Sequence, residues 1–198
     1  EPKRAAAVWQ DILGINPSDK EAEENLKDLY LKAGNWQALE GLYASRGLWQ
    51  DLIDLMAATA DKMTDTVEQC AVYSRMAEVC VTELDDLAAS NACLERILTI
   101  DRRHTESADA LIGRYRDLKD WEALASVCAL RVETEPDSVA RRVELAELAE
   151  EQLGDVAQGF SWYSQALTIE PGRMDLLEAV GRTGRNSGNE TALNDLLE

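Results

Sequence analysis

"GNWQALEGLYASR", residues 34–46, returns 85 residues later as "KDWEALASVCALR", residues 119–131. Working outward, residues 15–46 lie over 100–131 without a gap, matching Ile15 with Ile100, Glu21 with Glu106, Leu26 with Leu111, Tyr30 with Tyr115, Trp36 with Trp121, Leu39 with Leu124 and Arg46 with Arg131. A second overlay, shifted by 69, lays "MAEVCVTELDDLAASNACLERILTID" (76–101) on "LAELAEEQLGDVAQGFSWYSQALTIE" (145–170), and a third pairs "NETAL" (189–193) with "DWEAL" (120–124). Unit ends fall at Pro17, Arg102, Pro136 and Pro171, so the intervals are 85, 34 and 35, and 69 is two units.

Apolar residues recur every three or four positions, as in Leu26, Leu29, Tyr30 and Ala33, which is helical periodicity, and no stretch alternates with period two for long enough to make a strand. The spacing predicts helices near 3–14, 19–33, 36–45, 49–63, 66–84, 87–100, 105–117, 121–134, 138–153, 156–169, 173–187 and 190–197. Starts are expected at Ser18 with Glu21 and Asp65 with Glu68 as capping boxes, and at Asn35, Asp120, Asp137, Asp155 and Asn189. Stops are expected at Gly34, Gly47, Gly154, Gly172 and Gly188, since glycine takes the left-handed conformation without penalty.

A two-helix unit of 34 residues is the period of the tetratricopeptide repeat, and the chain resembles that family over nearly its whole length. Leu26 with Tyr30, Leu111 with Tyr115, Met76 with Cys80 and Leu145 with Ala149 stand at the first-helix Leu and aromatic places. Gly159, Tyr163, Ala166 and Pro171 stand at those of the second helix, followed less closely by Ser90, Leu94, Ile97 and Arg102. The signature first-helix Trp is replaced by Glu23, Tyr73, Ala108, Arg142 and Leu177. The resemblance implies an all-α, right-handed solenoid of antiparallel hairpins with about twelve helices, whose first helices line a concave groove that grips a partner. Residues 1–198 read as one array cut from a longer protein, with 1–17 the second helix of a truncated repeat and 172–198 an incomplete or terminal one.

Eighty-five is two and a half units, so five helices lie between Pro17 and Arg102. The extra one arises where "LYLKAGNWQALEGLY" (29–43) is followed at once by its near-copy "LYASRGLWQDLIDLM" (42–56). An irregular half-repeat, with a bend, is expected near residues 45–65. Trp36, Trp49 and Trp121 open second-type helices, where each ring can cover a joint and bury about 150–250 Å². Ala157, Gly159 and Ala166 are small enough to let helices approach closely.

Thirty-eight acidic residues against 20 Lys and Arg give a net charge of −18, which repels phosphate backbones and anionic lipid, so neither nucleic acid nor direct membrane insertion is expected. No stretch reaches a membrane-spanning length of apolar residues. Cys70, Cys80, Cys93 and Cys128 form no CxxC pair and stand at apolar helix positions, as buried thiols in a reducing, cytoplasmic compartment would; an anchor elsewhere in the parent is compatible with this. His104 is the single histidine, and no nucleophile, phosphate loop or metal-ligand spacing accompanies it. No catalysis and no cofactor are expected.

Surface is what remains. Two residues turn a helix by about 200°, so positions two before and two after a buried first-helix residue point outward. For Leu26, Met76, Leu111, Leu145 and Val180 these are Glu24, Asp28, Ser74, Glu78, Asp109, Gly113, Val143, Glu147, Glu178 and Arg182; Arg116 joins them at the end of its helix. Six of the ten are acidic, so the groove is expected to favour a protein or peptide with a basic surface. The alternative is a structural segment that stacks on further repeats or self-associates through its ends, as the apolar "ALNDLLE" (192–198) suggests.

Overall fold

The computed structural model describes residues 2–197 and is all-α: twelve helices and no strand among the described residues. Two compact units, Glu1–Cys93 and Leu94–Glu198, divide it. The first holds α1 (Pro2–Ile15), α2 (Lys20–Lys32), α3 (Trp36–Ala44), α4 (Trp49–Ala60), α5 (Thr66–Thr82) and the beginning of α6 (Leu87–Ile100). The second holds the end of α6, then α7 (Thr105–Leu118), α8 (Trp121–Thr134), α9 (Val139–Glu151), α10 (Val156–Ile169), α11 (Met174–Asn186) and α12 (Glu190–Leu197).

Packing follows the order of the chain: α1 on α2, α2 on α3, α3 on α4 and α4 on α5 in the first unit, and the same succession from α7 to α12 in the second. Helices this short are marginal alone, so the apolar stripe buried against the next helix is what holds each one. Leu26, Leu39, Leu52 and Met56 are fully buried in the first unit, as are Leu111, Ala146 and Val180 in the second. The half-repeat is the short α3, nine residues, followed by the extra α4, which packs on both α3 and α5.

The sequence repeats are repeats of hydrogen bonding. Gln10 Nε2 donates to Tyr30 Oη at 2.7 Å, and 85 residues on Tyr115 Oη donates to Glu95 Oε1 at 2.5 Å, so each tyrosine ties its helix to the preceding one. Asn35, Asp120 and Asn189 each donate a backbone N–H, at 2.9 Å, to the carbonyl five residues earlier. Asp86 and Asp155, related by the shift of 69, both donate to the carbonyl six earlier at 2.8 Å. That shift also pairs Ser90 with Gly159. Ser90 Oγ donates to Ala77 O at 2.7 Å; a Cβ on Gly159 would stand 3.3 Å from Ala146 O, the equivalent carbonyl. One position thus admits the close helix approach by two routes, a hydroxyl that satisfies the carbonyl or no side chain at all.

Each of these turns needs one left-handed residue. Gly34, Gly154 and Gly188 supply it, but Asp85 (φ 52°) and Lys119 (φ 57°) stand in the same role. A non-glycine residue there costs about 1–2 kcal/mol, part of which glycine would return as extra freedom of the unfolded chain. Lys119→Gly is therefore expected to stabilise the second unit by about 0.5–1 kcal/mol, read as a higher urea midpoint at unchanged slope.

Asn35, Asp65, Asp120 and Asp155 cap their helices as expected. Two starts differ by one residue. Asp19, not Ser18, accepts from Ala22 N at 3.0 Å, and Ser138, not Asp137, accepts from Arg141 N at 3.4 Å. His104 is a further cap, its Nδ1 accepting from Ser107 N at 3.3 Å. Gly172 is not left-handed; α10 ends instead at Ile169, with Glu170 as its C-cap ahead of Pro171. Ala157 is exposed, so Gly159 and Ala166 carry the close packing. Trp36, Trp49 and Trp121 open their helices but are only half-buried. In "ALNDLLE", Leu193 is buried, while Glu198 and the side chains of Leu196 and Leu197 lie outside the described residues.

All four cysteines are buried. Burial pushes the Cys128 thiol up to about 11 and, with Cys80 hydrogen-bonded beside it, Cys93 up to about 12. Above pH 9 the unfolded chain releases these protons while the folded chain keeps them, so stability present below pH 9 falls as pH rises toward 11–12. Each thiol contributes a slope of up to about 1.4 kcal/mol per pH unit. Urea unfolding at pH 8, 9.5 and 10.5 should show the fall, and Cys128→Ala should make it shallower.

Candidate interaction surface

Alternate helices in a stacked array lie side by side, and here arginines stitch them together. In the second unit Arg116, at the end of α7, donates through Nη2 to Glu144 Oε1 of α9 at 2.7 Å. Arg182 of α11 pairs with Glu150 of α9, whose side chain is only 16% exposed. The α7, α9 and α11 helices therefore share a face, and Asp109, Arg116, Glu147, Glu178 and Arg182 are all exposed. Val143 is not part of it: it is half-buried against the core of Val139, Ala146, Phe160 and Leu176, because α9 presents Val143 to α10 and α11.

Several of these charges are already engaged. Asp109 lies 3.8 Å from Arg131, a buried guanidinium held at 2.6 Å by Glu135. Glu135 and Glu144 are both approached by Arg141, at 3.7 and 3.4 Å, so the network runs from α7 through α8 into α9. Glu147 and Glu178 make no ion pair among the described residues and leave the face with uncompensated negative charge.

In the first unit Glu24, Asp28 and Glu78 are exposed as well, but on helices that do not pack together. Glu78 is paired with Arg75 of its own helix, and Arg75 forks onto both carboxylate oxygens of Glu40 in α3, a side chain only 10% exposed. That fork ties α5 to α3, whereas α2 packs on α1 and α3. One extra helix, α4, is the physical reason. It changes by one the number of helices between α2 and α5, so α5 joins the row of α3 and not the row of α2. Glu24 and Asp28 are not brought together with Glu78.

A cavity of about 390 Å³ opens where the α7–α8 corner meets α9. Trp121, Leu124, Cys128 and Leu148 form its apolar wall; Glu144, Glu147 and Glu151 stand at its edge with Arg116. Positions 144, 147 and 151 follow the i, i+3, i+7 spacing of one helix face. Sequence reasoning placed Arg116 and Glu147 on the surface but missed Glu144, Glu151 and the role of Trp121. The carboxylate spacing was visible, whereas the cavity depends on how three helices meet. A larger hollow, about 760 Å³, lies against α1, α2 and the end of α3. There Arg46, the repeat partner of Arg131, donates to Pro17 O at 2.7 Å and pairs with Glu23, one of the residues in the signature Trp place. Another such residue, Arg142, is buried and donates to Ser138 O at 3.2 Å. No cluster of three metal-ligating side chains and no helix long and apolar enough to cross a membrane occurs among the described residues.

No protein-family model and no curated protein matches the chain. Among solved structures, one titled "Crystal structure of MamA" is similar over 78% of this chain and 85% of its own, at 12% identity and a TM-score of 0.40. Another, titled "MamA MSR-1 C2", is similar over 86% of this chain and 92% of its own, at 15% identity and a TM-score of 0.39.

Proposed function

We propose that the chain is a non-catalytic, tetratricopeptide-like protein-interaction module whose second unit presents the face of α7, α9 and α11 to a protein or peptide with a basic surface. The observation that carries this reading is the pair of bridges Arg116–Glu144 and Glu150–Arg182. They link α7, α9 and α11 along one face, on which Glu147 and Glu178 make no ion pair among the described residues. Opposite charge on a partner then steers its approach and fixes its register more than it adds net affinity. The same reading assigns Glu24, Asp28 and Glu78 to surfaces of the first unit that act separately.

The test is fluorescence anisotropy of a nine-residue peptide alternating Arg and Gly, at 50 and 300 mM salt. Binding weakened at least tenfold by the added salt, and at least fivefold by Glu147→Lys with Glu178→Lys, is expected. Equal binding by the charge-reversed chain, or no binding by the unaltered one, rejects the reading.

A second reading rests on α1, where Val8 is 57% and Ile15 87% exposed. Apolar side chains left in water suit self-association through that helix, in which case light scattering gives a concentration-dependent mass that salt does not reduce. Val8→Glu with Ile15→Glu would then return the monomer mass.

A further inference from the structure

The cavity between the α7–α8 corner and α9 has the chemistry of a socket for one side chain. Its edge bears three carboxylates against a single guanidinium, and its wall includes an indole and two leucines. Glu144 is satisfied from within, by Arg116 at 2.7 Å and Arg141 at 3.4 Å. Glu147 and Glu151, exposed and without an ion pair among the described residues, are not. An occupant must therefore bring positive charge to the edge and an apolar stem to the wall. A bare metal ion meets only the first requirement and an apolar side chain only the second. Arginine meets both. Its methylenes can lie on leucine, its planar head stacks on an indole, and its fork matches a carboxylate. The chain already uses that chemistry at this edge, where Arg116 holds Glu144.

We infer that this cavity binds an arginine side chain of the partner, stem against Trp121 and Leu148 and guanidinium between Glu147 and Glu151. The inference rests on the interaction-module reading and names the residue type that the second unit selects. Lysine fits less well, because a compact, strongly hydrated ammonium gains less from the indole and cannot fork.

The probe is the peptide acetyl-GSGRGSG-amide, titrated into the ¹⁵N-labelled full chain, with the Trp121 indole N–H signal assigned by Trp121→Phe. A saturable shift of that signal is expected. The dissociation constant should rise at least fivefold in Glu147→Gln with Glu151→Gln, about threefold when lysine replaces arginine, and at least tenfold with citrulline, which keeps the shape and loses the charge. Glu190→Gln, an exposed carboxylate of α12 that does not line the cavity, should change it less than twofold. Both altered glutamates are exposed, so the thermal midpoint should stay in place and certify the fold. Unchanged binding by the double variant, or equal binding of the citrulline peptide, overturns the socket. If in that case the nine-residue basic peptide still binds in a salt-sensitive way, the wider face stands without it. If neither peptide binds the unaltered chain, both readings fall.

Discussion

Replacing Arg75 by alanine is expected to destabilise the first unit by roughly 2–4 kcal/mol, discounted from the roughly 3–5 kcal/mol for breaking a buried ion pair because the arginine itself is partly in water. Arg75 is 42% exposed, but its partner Glu40 is 10% exposed and loses both donors of the fork at once. The asymmetry is the informative part. Glu40→Leu removes the buried charge and leaves Arg75 free to turn toward solvent or keep Glu78, so it should cost far less. The double change Glu40→Leu, Arg75→Met should recover most of the loss, since a buried pair replaced by well-packed apolar groups is often neutral. Hydrogen exchange of α3 and α5 amides reads the result. Equal losses for the two single variants would mean that the fork contributes as a surface bridge only.

Leu111→Ala should cost about 2–5 kcal/mol, the range for emptying a closed leucine site. Leu111 is fully buried in α7, at the place that Leu26 occupies 85 residues earlier. In an array of this kind each helix is held by its immediate neighbours, so damage stays near its origin. Loss of exchange protection is therefore expected in α7 and α8 first, with smaller changes in α11 and α12. A uniform loss throughout the second unit would show that it unfolds as one cooperative block.

Much of this architecture was legible in the sequence because it is local. Periodicity of 3.6, capping acceptors and turn glycines act within a few residues, and the twelve helices lie within a few residues of where that chemistry puts them. The exceptions were positions where two neighbouring residues can do the same work. Asp19 caps where Ser18 was expected, and Lys119 and Asp85 take the left-handed place that elsewhere belongs to glycine. The repeat also proved deeper than its identities: Gln10 and Glu95 differ in type yet bond equivalent tyrosines, and Ser90 and Gly159 admit the same close approach.

The candidate surface was legible only in part. Counting two residues from a core position names Glu24, Asp28, Glu78, Asp109, Glu147, Glu178 and Arg182, all of which are exposed. Ser74 and Val143 are half-buried instead, Val143 because α9 buries a wider stripe than α2 does.

The helices, their order and the unit that repeats follow from the residues alone, since hydrogen bonds to the fourth residue back and burial against the next helix are short-range effects. Which carboxylates find partners depends instead on contacts between distant helices. Arg75 finds Glu40 across 35 positions, Arg182 finds Glu150 across 32, and within the first unit one extra helix, α4, puts α5 in the row of α3. Charge pairing depends on distance in space, and in a stacked array that distance is set by how many helices lie between two residues, not by how many residues do.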